Sequence, residues 1–171
     1  MVRFKNRYVL CQVVAEEPRG RPCIEERAVG SAVKDAIARA YGDYGLACCS
    51  GAGPAVKYLN AYTGTVLLRC RKDFYRLLCS ALPLVRQLES RGLRCPCFLS
   101  TLHVGGTIRS CQKFLIQYNR RQLLTLLQNC TNEDERQRIR QSVLSCSLTE
   151  EQSHSGEEEE EEDEDDGTET D

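Results

Sequence analysis

Three basic residues, Arg109, Lys113 and Arg120, recur at intervals that bring them onto one side of a helix. At ~100° per residue they fall within about 40° of each other, while Cys111, Phe114, Leu115 and Tyr118 take the opposite side. A ridge of guanidinium and ammonium groups at this spacing suits phosphate oxygens along a nucleic-acid backbone. The plainer reading is a solvated charged face. Just ahead, Gly105-Gly106-Thr107 offers two glycines that let another backbone approach closely and a threonine able to cap the helix. The free N–H groups and positive dipole end of that helix would favour a phosphate; an ordinary glycine turn accounts for the residues equally simply. Arg3, Lys5 and Arg7 alternate at the start of the chain and share one side if a strand extends that far. Arg69 and Arg71, with Lys72, close an apolar run, and read either as the basic end of a core strand or as further phosphate contacts.

Enzyme signatures are scarce. Gly51-Ala52-Gly53-Pro54 lacks the third glycine of a dinucleotide fingerprint and the Gly-Lys-Ser/Thr of a P-loop, so it reads as a loop. Of the two histidines, His154 lies in an acidic tail and His103 at a strand end. Cys95-Pro-Cys97 has one intervening residue where a zinc knuckle has two. The expectation is therefore no catalytic residue and no metal site.

Charge is unevenly distributed. Residues 150–171 hold 14 of the 25 acidic side chains and no Lys or Arg, leaving a body with 23 basic against 11 acidic, a formal +12. A polyanion-binding body carries a polyanionic tail. We expect one α-β sandwich domain over residues 1–146 and a disordered acidic tail over 147–171, in which Ser155, followed by a Glu run, suits an acidophilic kinase. The plainest reading of the tail is a solvated segment that aids solubility, and it is also long enough to fold back onto the body as a weak competitor for a polyanion. No stretch approaches the ~20 apolar residues of a membrane span, and residues 1–10 contain no apolar run of signal-peptide length, so a soluble intracellular protein with no membrane partner is expected. The eleven cysteines are an odd number and sit mostly in apolar segments, which favours reduced core thiols over a disulfide scaffold.

The elements that must position these residues follow from hydrophobic period. Residues 7–14 read as a buried strand. From Glu26, apolar residues every three to four positions make a helix that Gly42 and Gly45 stop. Residues 55–62 and 65–71 flank a Thr63-Gly64 turn and form a hairpin. A helix over residues 73–92 carries Pro83, which implies a kink or early break. Residues 93–104 make a further strand, 108–129 a long helix and 133–144 a charged helix, after which order ends. The order β-α-β-β-α-β plus C-terminal helices defines an α+β, ferredoxin-like (RRM-like) α-β sandwich, an antiparallel sheet with helices packed on one face. An RNA-recognition motif stacks bases on aromatics of its central strands; here Thr65 to Arg71 lacks that pattern, so phosphate contacts would have to dominate. Beyond Arg121 the apolar stripe shifts, and Leu123 and Leu127 lie on the side of the basic ridge, so the helix bends or a partner covers this end.

The opening Met1-Val2-Arg3-Phe4-Lys5-Asn6-Arg7-Tyr8, the segment Tyr58 to Gly64 running into Leu67-Leu68-Arg69-Cys70-Arg71, and above all His103 to Arg121 closely resemble the family of Pop-five protein subunits of eukaryotic ribonuclease P and ribonuclease MRP. Residues 1–146 are covered, and Gly105-Gly106-Thr107-Ile108-Arg109 is the most specific part. The resemblance implies a noncatalytic RNA-binding subunit of a nuclear and nucleolar ribonucleoprotein that removes 5′ leaders from precursor tRNA and, in the sister particle, processes precursor rRNA. Catalysis would belong to the RNA and its bound magnesium, with no cofactor on this chain. It further implies pairing with the thirty-kilodalton TIM-barrel subunit and contacts with other particle proteins. On this basis Arg3, Lys5, Arg7, Arg69, Arg71, Arg109, Lys113, Arg120 and Arg121 are candidates for RNA phosphates, and Leu123, Leu126 and Leu127 for protein contact. The alternative is a protein-interaction scaffold whose basic face binds an acidic protein.

Overall fold

The computed structural model describes residues 5–15, 23–50 and 55–154. Its elements are β1 (Asn6–Ala15), α1 (Glu26–Ser50), β2 (Ala55–Asn60), β3 (Thr65–Arg71), α2 (Tyr75–Ala81), β4 (Gln87–Ser90), β5 (Leu93–Gly105), α3 (Ile108–Asn129) and α4 (Glu133–His154). The antiparallel sheet runs β2-β3-β1-β5-β4. Without the added β4, this is the strand order of the expected sandwich. The chain divides into two compact units between Phe114 and Leu115.

Strand alternation builds the core of the first unit. Val9, Cys11 and Val13 of β1 point to one side, with their cross-strand partners Leu68 and Val66 of β3 and Leu99 of β5. Val29, Val33, Ala36 and Ile37 of α1 and Leu78 and Ala81 of α2 close over that side, all of them buried. The other side of β1 carries Tyr8, Leu10 and Gln12, and Leu10 pairs with both Leu67 and His103. The ring of His103 stacks on Phe114 of α3, with centroids 4.5 Å apart and planes 7° from parallel. The sandwich helices α1 and α2 lie on the first face, as expected, and the opening turns of α3, one of the added C-terminal helices, meet the second.

Three expected elements differ. The helix expected over residues 73–92 stops at Ala81, a 3-10 turn spans Leu82–Leu84, and Gln87–Ser90 is a strand. Pro83 cannot donate the helical N–H and its ring crowds the preceding turn. Arg91 and Gly92, at φ 51° and 79°, then form a tight reverse turn whose twist matches a hairpin. Leu88 is a core residue, as its apolar character implied, but reaches the core from a strand paired with Cys95. In α1 only Gly42 interrupts the helix, at φ 61° and ψ −154°; Gly45 does not stop it, and helix resumes to Ser50. α4 runs ten residues past the expected end at 144, to His154. No Gly or Pro lies between Glu133 and Gly156 to end it sooner.

Gly64 locks the β2-β3 hairpin against β1. Its carbonyl accepts a 2.7 Å hydrogen bond from the Val13 N–H, its φ is +70°, and a Cβ there would lie 2.8 Å from the Val13 carbonyl oxygen. Gly92 has φ +79° but open space around it. We expect Gly64→Ala to cost ~2–3 kcal/mol in urea denaturation, strain and clash together, and Gly92→Ala only about 1 kcal/mol. Equal losses would mean that the approach to Val13 contributes nothing.

The ten cysteines from Cys11 to Cys130 are free thiols. Burial, with smaller additions from neighbouring thiols, raises Cys11 far above the ordinary thiol range, Cys70 to about 12 and Cys97 to about 11; the Arg7 guanidinium pulls Cys70 partly back. Held as neutral thiols, they are poor nucleophiles at neutral pH. Alkylation with iodoacetamide at pH 8, followed by mass spectrometry, should label the half-buried Cys48 and Cys130 first and leave Cys11, Cys70 and Cys97 unlabelled until the chain unfolds. Labelling of Cys11 at the rate of Cys130 would contradict this.

Candidate nucleic-acid interface: a basic end of the sheet

Antiparallel pairing brings the start of β1 beside the end of β3 on one flank and the end of β5 on the other. Asn6 faces Arg71, Arg7 faces Cys70, and Tyr8 faces both Arg69 and Gly105. The Lys72 N–H donates to the Lys5 carbonyl at 2.9 Å, extending the pairing one step beyond the strands. Lys5, Arg7, Arg69, Arg71 and Lys72 thus meet at one end of the sheet. Alternation sends Arg7 to the side of Val9, and Arg69 and Arg71 to the side of Tyr8, so both faces of this end are basic.

The junction to α3 adds to it. A Cβ on Gly105 would overlap Ser110 Oγ and lie 2.8 Å from Cys111 Sγ, so only glycine lets the first turn of α3 sit this close. Thr107 caps that turn: the Ser110 N–H donates to Thr107 Oγ1 at 3.1 Å, and the Thr107 N–H donates to Ser110 Oγ at 3.4 Å. This reciprocal pair satisfies an otherwise open helix end. The Cys111 thiol donates to the Tyr8 carbonyl at 3.6 Å, tying α3 to β1. Burial raises Cys111, opposed by its bonds to Gly105 and Ser110. Gly106 has room, with Arg7 Nη1 3.6 Å from where its Cβ would stand. Arg109 is exposed on the first turn, and Lys113 is half-buried one turn further.

In the segments that make this end, residues 5–8, 69–74 and 105–114, seven basic residues face a single carboxylate, Asp73. The ion pairs Arg91–Glu25 at 3.1 Å and Arg94–Glu89 at 3.5 Å lie at the opposite end, around the β4-β5 turn. What this arrangement can do chemically is hold several phosphates at once through charge and N–H donors. Among the described residues, no group of three or more His, Cys, Asp or Glu side chains could hold a metal ion. Cys95 and Cys97 both point into the core. His103 is a stacking partner of Phe114.

The second face of the sheet is not a base-stacking platform at its centre, because Leu10 and Leu67 there are 2% and 5% exposed. Half-exposed aromatics stand at its margins instead, Tyr58 on β2 and Phe98 on β5. Sequence reading missed both, because their facing follows only from the register. It also passed over the role of Gly105, for which the paired glycines were the available signal.

In the second unit, Asn132 caps α4 by accepting the Asp134 N–H at 3.2 Å. Arg120 and Arg121 are exposed. Leu123 and Leu127 are half-buried, whereas Leu124 and Leu126 are 41% and 55% exposed. Arg3, Ser155 and the rest of the acidic tail from residue 155 lie outside the described residues.

Fold and site together define a ferredoxin-like α-β sandwich with an added hairpin strand and one strongly basic sheet end. Residues 7–116 match the model of the Rpp14/Pop5 family, and this chain belongs to that family. It is 65% identical over 153 residues to the cattle (Bos taurus) ribonuclease P/MRP protein subunit POP5, covering 90% of this chain and 89% of that one. The human (Homo sapiens) protein of the same description is 62% identical over 157 residues, 92% of this chain and 96% of that one. A chain in the cryo-EM structure of yeast ribonuclease MRP aligns with 71% of this chain and 96% of its own length, at 12% identity and a TM-score of 0.46.

Proposed function

We propose that this chain is a noncatalytic protein subunit of a nuclear ribonuclease P/MRP particle, acting in precursor tRNA and precursor rRNA processing, and that it braces the particle's RNA through phosphate contacts. Family membership and the 62–65% identity to subunits of that description support the particle. The observation that carries the RNA role is the gathering of Lys5, Arg7, Arg69, Arg71, Lys72, Arg109 and Lys113 around the Gly105 junction, with one carboxylate among them. Catalysis would rest with the RNA and its magnesium, this chain supplying positive charge and shape. The exposed Leu124 and Leu126 beside the half-buried Leu123 and Leu127 favour protein contact by α3, for which the thirty-kilodalton TIM-barrel subunit is the proposed partner.

Protein–RNA cross-linking with mass spectrometry on the purified native particle tests the reading. Cross-links are expected in the segments 5–8, 69–74 and 105–113. Their absence there, together with particle association that survives nuclease digestion, would favour the alternative of a scaffold whose basic face meets an acidic protein.

A further inference from the structure

We propose that residues 155–171 of this same chain occupy the basic end of the sheet when RNA is absent, acting as a built-in competitor that sets a charge-density threshold for RNA. This rests on the RNA-binding reading of that end. The two parts are matched in charge. Twelve of those seventeen residues are acidic, ten of them consecutive at 157–166, with no Lys or Arg, and the sheet end presents seven basic residues against Asp73 alone. Length also permits it. Helix α4 is described to His154, and seventeen residues beyond it can span at most about 60 Å. A domain of ~110 residues has a radius of gyration of only about 13 Å, and the full span of the tail is several times that. Tethering turns a weak association into one at ~mM effective concentration.

The consequence is selectivity. Fully extended, the acidic run places one charge per ~3.3–3.6 Å, whereas duplex nucleic acid carries one per ~1.7 Å of axis. Paired, structured RNA therefore displaces the tail, while short single strands and weaker polyanions compete poorly. When RNA binds, the freed carboxylates gather counterions again, so net ion release is smaller for the full chain than for one with an uncharged tail.

The test uses full-length chains, native and with every Glu→Gln and Asp→Asn change in residues 157–171. At ~50 mM salt the neutral-tail chain should bind a noncognate single strand about tenfold more tightly than the native chain, with a log–log salt slope steeper by about 2–3 and the gap closing near 0.5 M. Equal affinity and slope at low salt would overturn the proposal. A second readout needs no RNA. Carbodiimide cross-linking of the native chain at low salt should join tail carboxylates to Lys5 and Lys72, and not to Lys34 on α1 or Lys57 on β2. Cross-links absent from Lys5 and Lys72, or spread evenly over all lysines, would overturn the docking even if RNA binds. If they form as expected but neither chain binds RNA, the RNA-binding reading falls and takes the competitor role with it.

Discussion

Replacing Lys5, Arg69, Lys72 and Arg109 together by alanine is expected to weaken binding to structured RNA about a thousandfold at ~0.15 M salt. Each phosphate neutralised contributes ~0.9 to the slope of log affinity on log salt, hence ~0.7 log unit relative to 1 M at that concentration. Four such contacts give about three log units, and the slope should flatten by roughly 3 to 4. The fold should be little affected, because none of the four belongs to the buried core. As a control, Lys34, Lys57, Arg76 and Arg138, all exposed and outside the basic end, are replaced in the same way, with the same change in net charge. That variant should lose less than about tenfold. Equal losses in the two variants would mean that net charge, rather than the sheet end, determines binding.

Gly105→Ala should disturb the site through its frame. The added Cβ meets Ser110 Oγ and Cys111 Sγ at once, so the first turn of α3 must move away from β5. The loss expected is ~1–3 kcal/mol, or about 2–12 °C in melting temperature for a chain of this size. Because Arg109 rides on that turn, RNA affinity should fall as well, in protein that is still folded at 20 °C. Gly105→Ala combined with Ser110→Ala should recover part of the stability, a coupling of neighbours that distant sites do not show. Strictly additive effects of the two changes would argue against the contact.

How far the sequence led is clearest at particular elements. α3 was legible from end to end: Gly106-Thr107 opens it and no breaker intervenes before its close at Asn129. β4 was not, because Leu88 fits a helical stripe as well as a strand; the outcome turned on Pro83 and on Arg91 taking a positive φ that its side chain does not favour. α4 was read too short, and no glycine or proline between Glu133 and Gly156 supports an end at 144. As for the site, the basic residues were visible as three separate stretches. Their union is a product of register: the pairing of Asn6 with Arg71 and of Tyr8 with both Arg69 and Gly105 cannot be read from any one segment. The role of Gly105 was partly legible, since paired glycines imply close approach, but Ser110 and Cys111 as the approaching groups required the fold.

The most direct measurement of the central claim, that the basic sheet end binds RNA phosphates, is the salt dependence of affinity between the full chain and the structured RNA of the particle. With about six phosphate contacts, log affinity should fall against log salt with a slope near −4 to −5. A slope near zero would contradict it.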